Sequence, residues 1–343
     1  MNKVRIGIIC PSEIAFRRFM PAIEECEEAE YIGISSANAK EWFGEGQAIN
    51  EEIIKSQHEK ALEFKNAYGG KVFDSYEELL TSDEVDAIYL PLPPALHYRW
   101  AKLALENNKH IFLEKPSTTS AADTKELVKI ATEKELAMHE NYMFNFHNQI
   151  GEIEQIIESG KLGDIRLYRI SFGFPRRASN DFRYVKALGG GALLDCGGYT
   201  IKLACRLLGS TAKITTSNLN YLDEFEVDMF GSATMVNDDG VTAQITFGMD
   251  NSYKCDLEVW GSKACLTTGR ILTAPAGFAP TAAIKSNDGE QIIQLSADDT
   301  FKKSIKYFCD CVNDINIRKE NYNALVKQAE LVDEVRVNGK KTD

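Results

Sequence analysis

The first 140 residues alternate short runs of β-branched and apolar side chains with amphipathic stretches, the pattern of βαβ units around a parallel sheet. Strands are predicted at Val4–Ile9, Glu30–Ser35, Lys71–Phe73, Ala87–Leu90, His110–Leu113 and Leu136–His139, with helices between them. Ala22, Ile23 and Cys26 fall on one face of the first helix, and Trp100, Leu103 and Ala104 on one face of a later one. The charged, helix-prone stretch Gln47–Asn66 lengthens the second crossover and reads as a solvated extension. From about Asn148 the pattern changes. A helix to Ser159 and a strand over Asp164–Phe174 lead into a glycine run, a helix ending at Leu208, and then long alternating strands. Val241–Met249 alternates cleanly after the turn-forming Asn237-Asp238-Asp239-Gly240, and Asn287-Asp288-Gly289 marks a second hairpin. Helices near Phe301–Val312 and Tyr322–Arg336 close the chain. The expected architecture is an α/β Rossmann-like dinucleotide-binding domain (1–142) followed by an α+β domain (143–343) with a large, mostly antiparallel open sheet.

A length of 343 residues suits two domains, each able to bury a core. With 39 basic against 51 acidic residues the net charge is -12, so nucleic acid is a poor partner. No run of 18 or so apolar residues occurs, which excludes a spanning helix, and the start Met1-Asn2-Lys3 does not resemble a secretory leader. The eight cysteines form no Cys-x-x-Cys pair, and Cys309 and Cys311 point to different faces of a helix, so free thiols in a reducing cytoplasm are expected. Five scattered histidines without a His-Glu-x-x-His pattern give no expectation of a metal site.

Candidate chemistry begins at the loop Cys10-Pro11-Ser12-Glu13-Ile14-Ala15 after the first strand. A dinucleotide fingerprint wants glycine where Cys10 and Ser12 stand, and only Ala15 satisfies its third position. A βα turn that binds nothing explains this loop as well as a cofactor site does. The second strand ends at Ser35-Ser36-Ala37-Asn38 without an acid for a ribose 2′-OH, which favours NADP(H) over NAD(H), although no arginine is present there either. Glu114-Lys115-Pro116 follows the fifth strand at the carboxyl edge, where open α/β sheets bind ligands. Further on, Gly189-Gly190-Gly191 precedes Asp195 and Tyr199, whose spacing of four puts them on one face of a helix. Carboxylate, phenol and a lysine are the parts of a proton-transfer site, because an ammonium lowers the pKa of an adjacent phenol. A glycine-rich helix start with a packed tyrosine is the plainer alternative.

These residues resemble the Gfo/Idh/MocA family of oxidoreductases over nearly the whole chain. The resemblance rests on the degenerate loop ending Ile14-Ala15, on Tyr89-Leu90-Pro91-Leu92-Pro93 with His97, and on Glu114-Lys115-Pro116. Glu140-Asn141-Tyr142-Met143 with His147 and Gln149, and the glycine run through Tyr199, complete it. Similarity is closer to the nucleotide-diphospho-hexose 3-ketoreductases, through Ile14-Ala15-Phe16-Arg17-Arg18, Gly240–Met249 and Arg270–Pro280. Their usual Ser-Arg after the second strand is Ser36-Ala37 here. The resemblance implies an NAD(P)-dependent oxidoreductase acting on CH-OH groups, a homodimer or homotetramer packed through the second-domain sheet, with a sugar or nucleotide-sugar substrate. Lys115, Asp195 and Tyr199 are its expected catalytic residues. Cofactor contacts are expected at Cys10, Pro11, Ser12, Glu13, Ile14, Ser35, Ser36, Leu90, Pro91, Leu92, His97, Glu114, Lys115 and Arg183. Reduction at C3 of a nucleotide-linked deoxysugar is the leading expectation. An aldose or trans-dihydrodiol dehydrogenase is the rival enzyme, and a silent NAD(P)-binding sensor or co-repressor the rival of another class.

Overall fold

The computed structural model describes residues 3–44 and 50–339. Of the charged stretch 47–66, residues 47–49 lie outside the described residues. The chain divides into two units. One runs to Thr118, resumes over Ala122–Asn141 and adds Phe301–Val326; the other comprises Thr119–Ala121, Tyr142–Thr300 and the chain from Lys327.

The first unit is a six-stranded parallel sheet in the order β3-β2-β1-β4-β5-β6. Its strands are β1 (Val4–Ile9), β2 (Ala29–Ser35), β3 (Lys71–Phe73), β4 (Ala87–Leu90), β5 (His110–Glu114) and β6 (Met138–Asn141). Helices cross over between them: α1 (Met20–Glu24, entered through a π turn at Ala15–Phe19), α2 (Ala39–Phe43), α3 (Glu51–Tyr68), α4 (Tyr76–Thr81), α5 (Pro94–Glu106) and α6 (Ala121–Glu133). Strands β1 and β4 are apolar almost throughout because both of their faces are covered. The strand order reverses direction between β1 and β4, the place where such sheets hold ligands.

The first unit also takes the C-terminal segment 301–326, which the sequence pattern leaves in the second domain. Phe308 packs edge-on against Phe112 of β5 at 5.4 Å, and Tyr322 donates its hydroxyl to the Leu136 carbonyl. Amphipathic periodicity shows that a helix has an apolar face but not which sheet that face meets. Strand β6 starts two residues later than expected, because Leu136 N–H still donates to Ala131 at the end of α6.

The second unit opens with α7 (Asn148–Glu158) and β7 (Ile165–Gly173). Gly189–Gly191 and a π turn at Leu193–Gly197 lead into α8 (Gly198–Leu208). The strands β8 (Lys213–Tyr221), β9 (Asp228–Val236), β10 (Thr242–Gly248), β11 (Lys254–Gly261), β12 (Ala264–Gly269), β13 (Thr281–Ser286) and β14 (Gly289–Gln294) follow. With β7 they form an eight-stranded sheet in the order β14-β13-β12-β11-β7-β10-β9-β8. Only the β7–β10 pairing is parallel. Alternation in β9, β10 and β11 puts one face under α8 and the other in solvent, where Arg169, Gln244, Glu258 and a half-exposed Trp260 lie. Helices α9 (Thr300–Asn313) and α10 (Ile315–Asn338) complete the chain. Among the described residues no helix is long and apolar enough to cross a membrane, and none of the eight cysteines is bonded to another.

Candidate active site

In the first unit the chain leaves β1 through Cys10, whose φ of 80° lies in the left-handed region. A glycine adopts that conformation freely, whereas a residue with a Cβ carries about 1 kcal/mol of strain. Cys10 N–H donates to the Ser35 carbonyl at 3.1 Å, and the Cys10 carbonyl accepts Ser12 N–H at 2.9 Å, closing a tight turn over the buried Pro11. Ser12 Oγ then accepts Ala15 N–H at 3.2 Å, capping the helix and leaving its own O–H as a donor. Glu13 is exposed and paired with Arg17 at 3.0 Å, which offsets its charge, and Ile14 is exposed beside it. Burial pushes the Cys10 thiol up to about 11, against a hydrogen bond with Tyr76, so it stays protonated at neutral pH.

At the end of β2, Ser35 and Ser36 are buried, and Ser35 Oγ has no hydrogen-bond partner among the described residues. In the helix that follows, Glu41 accepts the backbone N–H groups of Asn38 and Tyr76 at Oε2 and of Glu77 at Oε1, at 2.9–3.0 Å, so most of its accepting capacity is used within the protein. An orphaned hydroxyl, a glycine-type turn and a helix start with unsatisfied N–H groups fit a dinucleotide.

Leu90, Pro91 and Leu92 are buried after β4. His97 on α5 is buried, with Nδ1 2.8 Å from the Pro116 carbonyl and Nε2 2.8 Å from the Leu92 carbonyl. Burial lowers its pKa, opposed by those two carbonyls; both only accept, so a neutral ring donates to one of them and packs against the other. His97, expected as a cofactor contact, thus sits buried between the loop after β4 and the loop after β5.

The fifth strand delivers Glu114-Lys115-Pro116 through a cis Lys115–Pro116 peptide. Glu114 Oε1 accepts the Tyr89 hydroxyl at 2.7 Å and Asn141 Nδ2 at 2.8 Å. Burial raises its pKa, opposed by these bonds and by the Lys115 ammonium. Asn141 Oδ1 in turn accepts the Ser304 hydroxyl at 2.8 Å, and Ser304 Oγ lies 2.9 Å from His139 Nε2. Tyr89 stacks on Phe19 at 4.0 Å. Glu114 is therefore anchored inside the unit, and the network fixes the strand end that presents Lys115.

In the second unit, Asp195 lies within the π turn and Tyr199 in the first turn of α8, so the expected α-helical face is replaced by a π-to-α junction. Asp195 Oδ2 accepts Arg183 Nε at 2.8 Å, and Arg183 also pairs with Asp181 at 3.2 Å. Burial depresses the Arg183 pKa, but the two carboxylates outweigh it and hold the guanidinium charged. Arg183, expected beside the cofactor, is thereby placed in the second unit as the partner of Asp195. The Tyr199 ring is clamped by Tyr142 at 5.1 Å, Phe172 at 5.3 Å and Phe144 at 5.8 Å, with its hydroxyl 3.7 Å from Met143 Sδ.

Asp228 escaped the sequence reading. Its Oδ2 accepts Leu193 N–H at 2.6 Å at the start of the π turn, and a Cβ on Gly191 (φ 122°) would overlap its Oδ1. Burial pushes its carboxyl up to about 6, opposed by the Leu193 amide. A Cβ on Gly190 would overlap the Arg183 carbonyl, so the glycine run is required by close approach. No His, Cys, Asp or Glu cluster suited to a metal ion occurs among the described residues.

Residues 6–142 match the oxidoreductase family with an NAD-binding Rossmann fold, and residues 150–267 match the GFO/IDH/MocA C-terminal domain. The chain is 35% identical over 335 residues to dTDP-3,4-didehydro-2,6-dideoxy-α-D-glucose 3-reductase of Actinomadura kijaniata, covering 98% of this chain and 95% of that one. It is 34% identical to the enzyme of the same name from Streptomyces violaceoruber, with the same coverage. The solved structure of the A. kijaniata 3-ketoreductase with NADP and TDP-benzene superposes with a TM-score of 0.89 at 34% identity, covering 98% of each chain. The Rossmann strand order of the first unit and the mostly antiparallel sheet of the second agree with these matches. The chain belongs to the GFO/IDH/MocA oxidoreductase family.

Proposed function

We propose that this protein is an NADPH-dependent reductase of a nucleotide-linked 3-keto-deoxyhexose. The observation that carries the reading is Tyr199, a phenol clamped by three aromatic rings at a helix start, one turn beyond a half-buried Asp195–Arg183 pair. The turn Cys10–Ile14, the ends of β2 and β4, and the Glu114-Lys115 strand end are the residues that would hold NADPH. When bound, NADPH supplies the hydride that reduces the ketone carbon. Tyr199 gives its O–H proton to the carbonyl oxygen, so the C=O bond becomes CH–OH and a tyrosinate remains. The Lys115 ammonium favours that tyrosinate and polarises the carbonyl. Asp195, fixed by Arg183, accepts a hydrogen bond from a substrate hydroxyl and sets the sugar's orientation.

The reductases named above support this substrate class, and the Glu41 carboxylate, engaged by three backbone N–H groups, supports NADPH over NADH. Trp260 and Ile292, exposed on the outer side of the second-unit sheet, support self-association through that side, and eight unbonded cysteines support a cytoplasmic protein. The test is turnover of nucleotide-linked 3-keto sugars with NADPH beside free aldoses and trans-dihydrodiols with NADP⁺. Oxidation of the last two alone, or cofactor binding with no turnover on any of them, overturns the reading.

A further inference from the structure

Between β7 and the glycine run, three arginines lie over aromatic rings. Arg176 lies over Phe225 at 5.1 Å, Arg177 over Phe174 at 5.0 Å and Arg183 over Phe182 at 4.7 Å. Their charges are treated differently. Arg176 pairs with Glu224 and Asp250, both at 2.9 Å, and Arg183 pairs with Asp195 and Asp181. Arg177 has no carboxylate partner among the described residues, although the chain has 51 acids to 39 bases and its immediate neighbour holds two of them.

Arg177 is nevertheless held in place. Its backbone N–H donates to the Tyr184 hydroxyl at 2.7 Å, and the Tyr184 ring in turn meets Phe225 at 5.0 Å. A guanidinium lying on a ring keeps its N–H edge for a bidentate acceptor and loses little further rotamer freedom on binding one. Phosphate oxygens fit that edge. The site is also connected to Tyr199. The rings of Tyr199 and Phe172 meet at 5.3 Å, those of Phe172 and Phe174 at 5.9 Å, and Arg177 covers Phe174. Two edge-on ring contacts and one cation–ring contact therefore connect the phenol to the unneutralised cation, so both lie on one continuous run of aromatic side chains.

We propose that Arg177 reads the diphosphate of the substrate, over a floor made by Phe174. The inference rests on the ketoreductase reading, because it measures its reach from Tyr199. It assigns to this loop the recognition of a nucleoside diphosphate and leaves the sugar to the groups around Asp195.

The test is calorimetric titration of the full-length protein, saturated with NADPH, with thymidine 5′-diphosphate, thymidine 5′-monophosphate and thymidine. In Arg177→Ala the diphosphate should bind about tenfold more weakly or worse, with thymidine unchanged, and Arg177→Lys should recover part of the loss. NADPH affinity, measured separately, should not change, which distinguishes this site from the cofactor's own phosphates. The inference is overturned if the wild type does not bind the diphosphate. It is also overturned if Arg177→Ala binds it within about twofold of wild type, or loses diphosphate and thymidine alike. Turnover of nucleotide-linked keto sugars with a KM that Arg177→Ala leaves unchanged condemns the inference and spares the ketoreductase. Arg177-dependent diphosphate binding without turnover of any such sugar condemns the ketoreductase and spares the subsite.

Discussion

Both units present candidate groups where a strand or loop passes into a helix through a π turn, at Ala15–Phe19 in one and Leu193–Gly197 in the other. These junctions are built on opposite lines. At the first, the conformation is that of a glycine but the residue is Cys10, and the turn is closed by backbone N–H and carbonyl groups, with Ser12 Oγ capping the helix that follows. At the second, real glycines stand where a Cβ would strike the Arg183 carbonyl or the Asp228 carboxylate, and the side chains that follow are wedged among rings and ion pairs. A loop that binds with its backbone tolerates changes of side chain. A segment that acts through side chains does not, so substitutions should have large effects in the second unit and small ones at Cys10.

The largest expected effect is at Tyr199. Tyr199→Phe keeps the ring contacts and removes only the proton donor, so kcat should fall by about 100-fold or more while NADPH affinity, followed by tryptophan fluorescence, stays level. Lys115→Met should do comparable damage, and under the proposed mechanism, in which both groups serve one carbonyl oxygen, the double variant should be little worse than either. Near-wild-type turnover in Tyr199→Phe breaks the comparison, because the phenol would then be packing alone.

Next comes Gly190→Ala, whose Cβ meets main chain rather than a movable side chain. It should lose about 2–4 kcal/mol of stability in urea unfolding and weaken turnover by displacing the Arg183–Asp195 pair. An unchanged midpoint would show that the second junction is as tolerant as the first.

A smaller effect is expected from pH. The folded Asp228 carboxyl, at about 6, lies above its ordinary value, so the native state takes up a proton that the unfolded chain releases. Its contribution to stability is full below the unfolded value near 3.9 and is lost as pH rises through about 6, with an upper bound of about 3 kcal/mol. Asp228→Asn should remove this dependence. The wild-type urea midpoint, measured against the variant, should therefore rise on going from pH 7.5 to 5. A constant difference between the two would place Asp228 in solvent.

The smallest effect sharpens the comparison from the other side. Cys10→Gly relieves the left-handed strain but adds freedom to the unfolded chain, two changes of about 1 kcal/mol that nearly cancel. NADPH should bind equally well or slightly more tightly in a fluorescence titration. A strong loss of affinity in a folded variant would mean that the thiol side chain, rather than the backbone, meets the cofactor.

Much of this was legible in the chain itself. Strands β1, β3 and β4 begin and end at the residues expected: β1 and β4 because apolar runs buried on both faces stop abruptly, and the short edge strand β3 because it is bounded by Gly70 and the turn-forming Asp74-Ser75. The hairpin at Asn237 was legible too, since its side chain accepts Val241 N–H at 2.9 Å and closes the turn locally. What stayed hidden depends on contacts distant in sequence. Asp228 caps a helix 35 residues earlier, and nothing around it in the chain marks it as buried. The Arg183–Asp195 bond spans 12 residues and a change of direction. Segment 301–326 shows its apolar face without showing what that face covers. The π turn before α8 was hidden as well, because a spacing of four suggests an α-helix whether or not one turn is widened.

That widened turn bears on how relatives of this chain are aligned. A π turn is what an α-helix looks like after one residue has been slipped into it. Where that extra residue falls between Asp195 and Tyr199, a relative that begins this helix with a regular turn has its equivalent of Tyr199 one residue nearer to its equivalent of Asp195. Family members sorted by their residue at a fixed offset from the aspartate would then be separated by an insertion, not by a difference in chemistry.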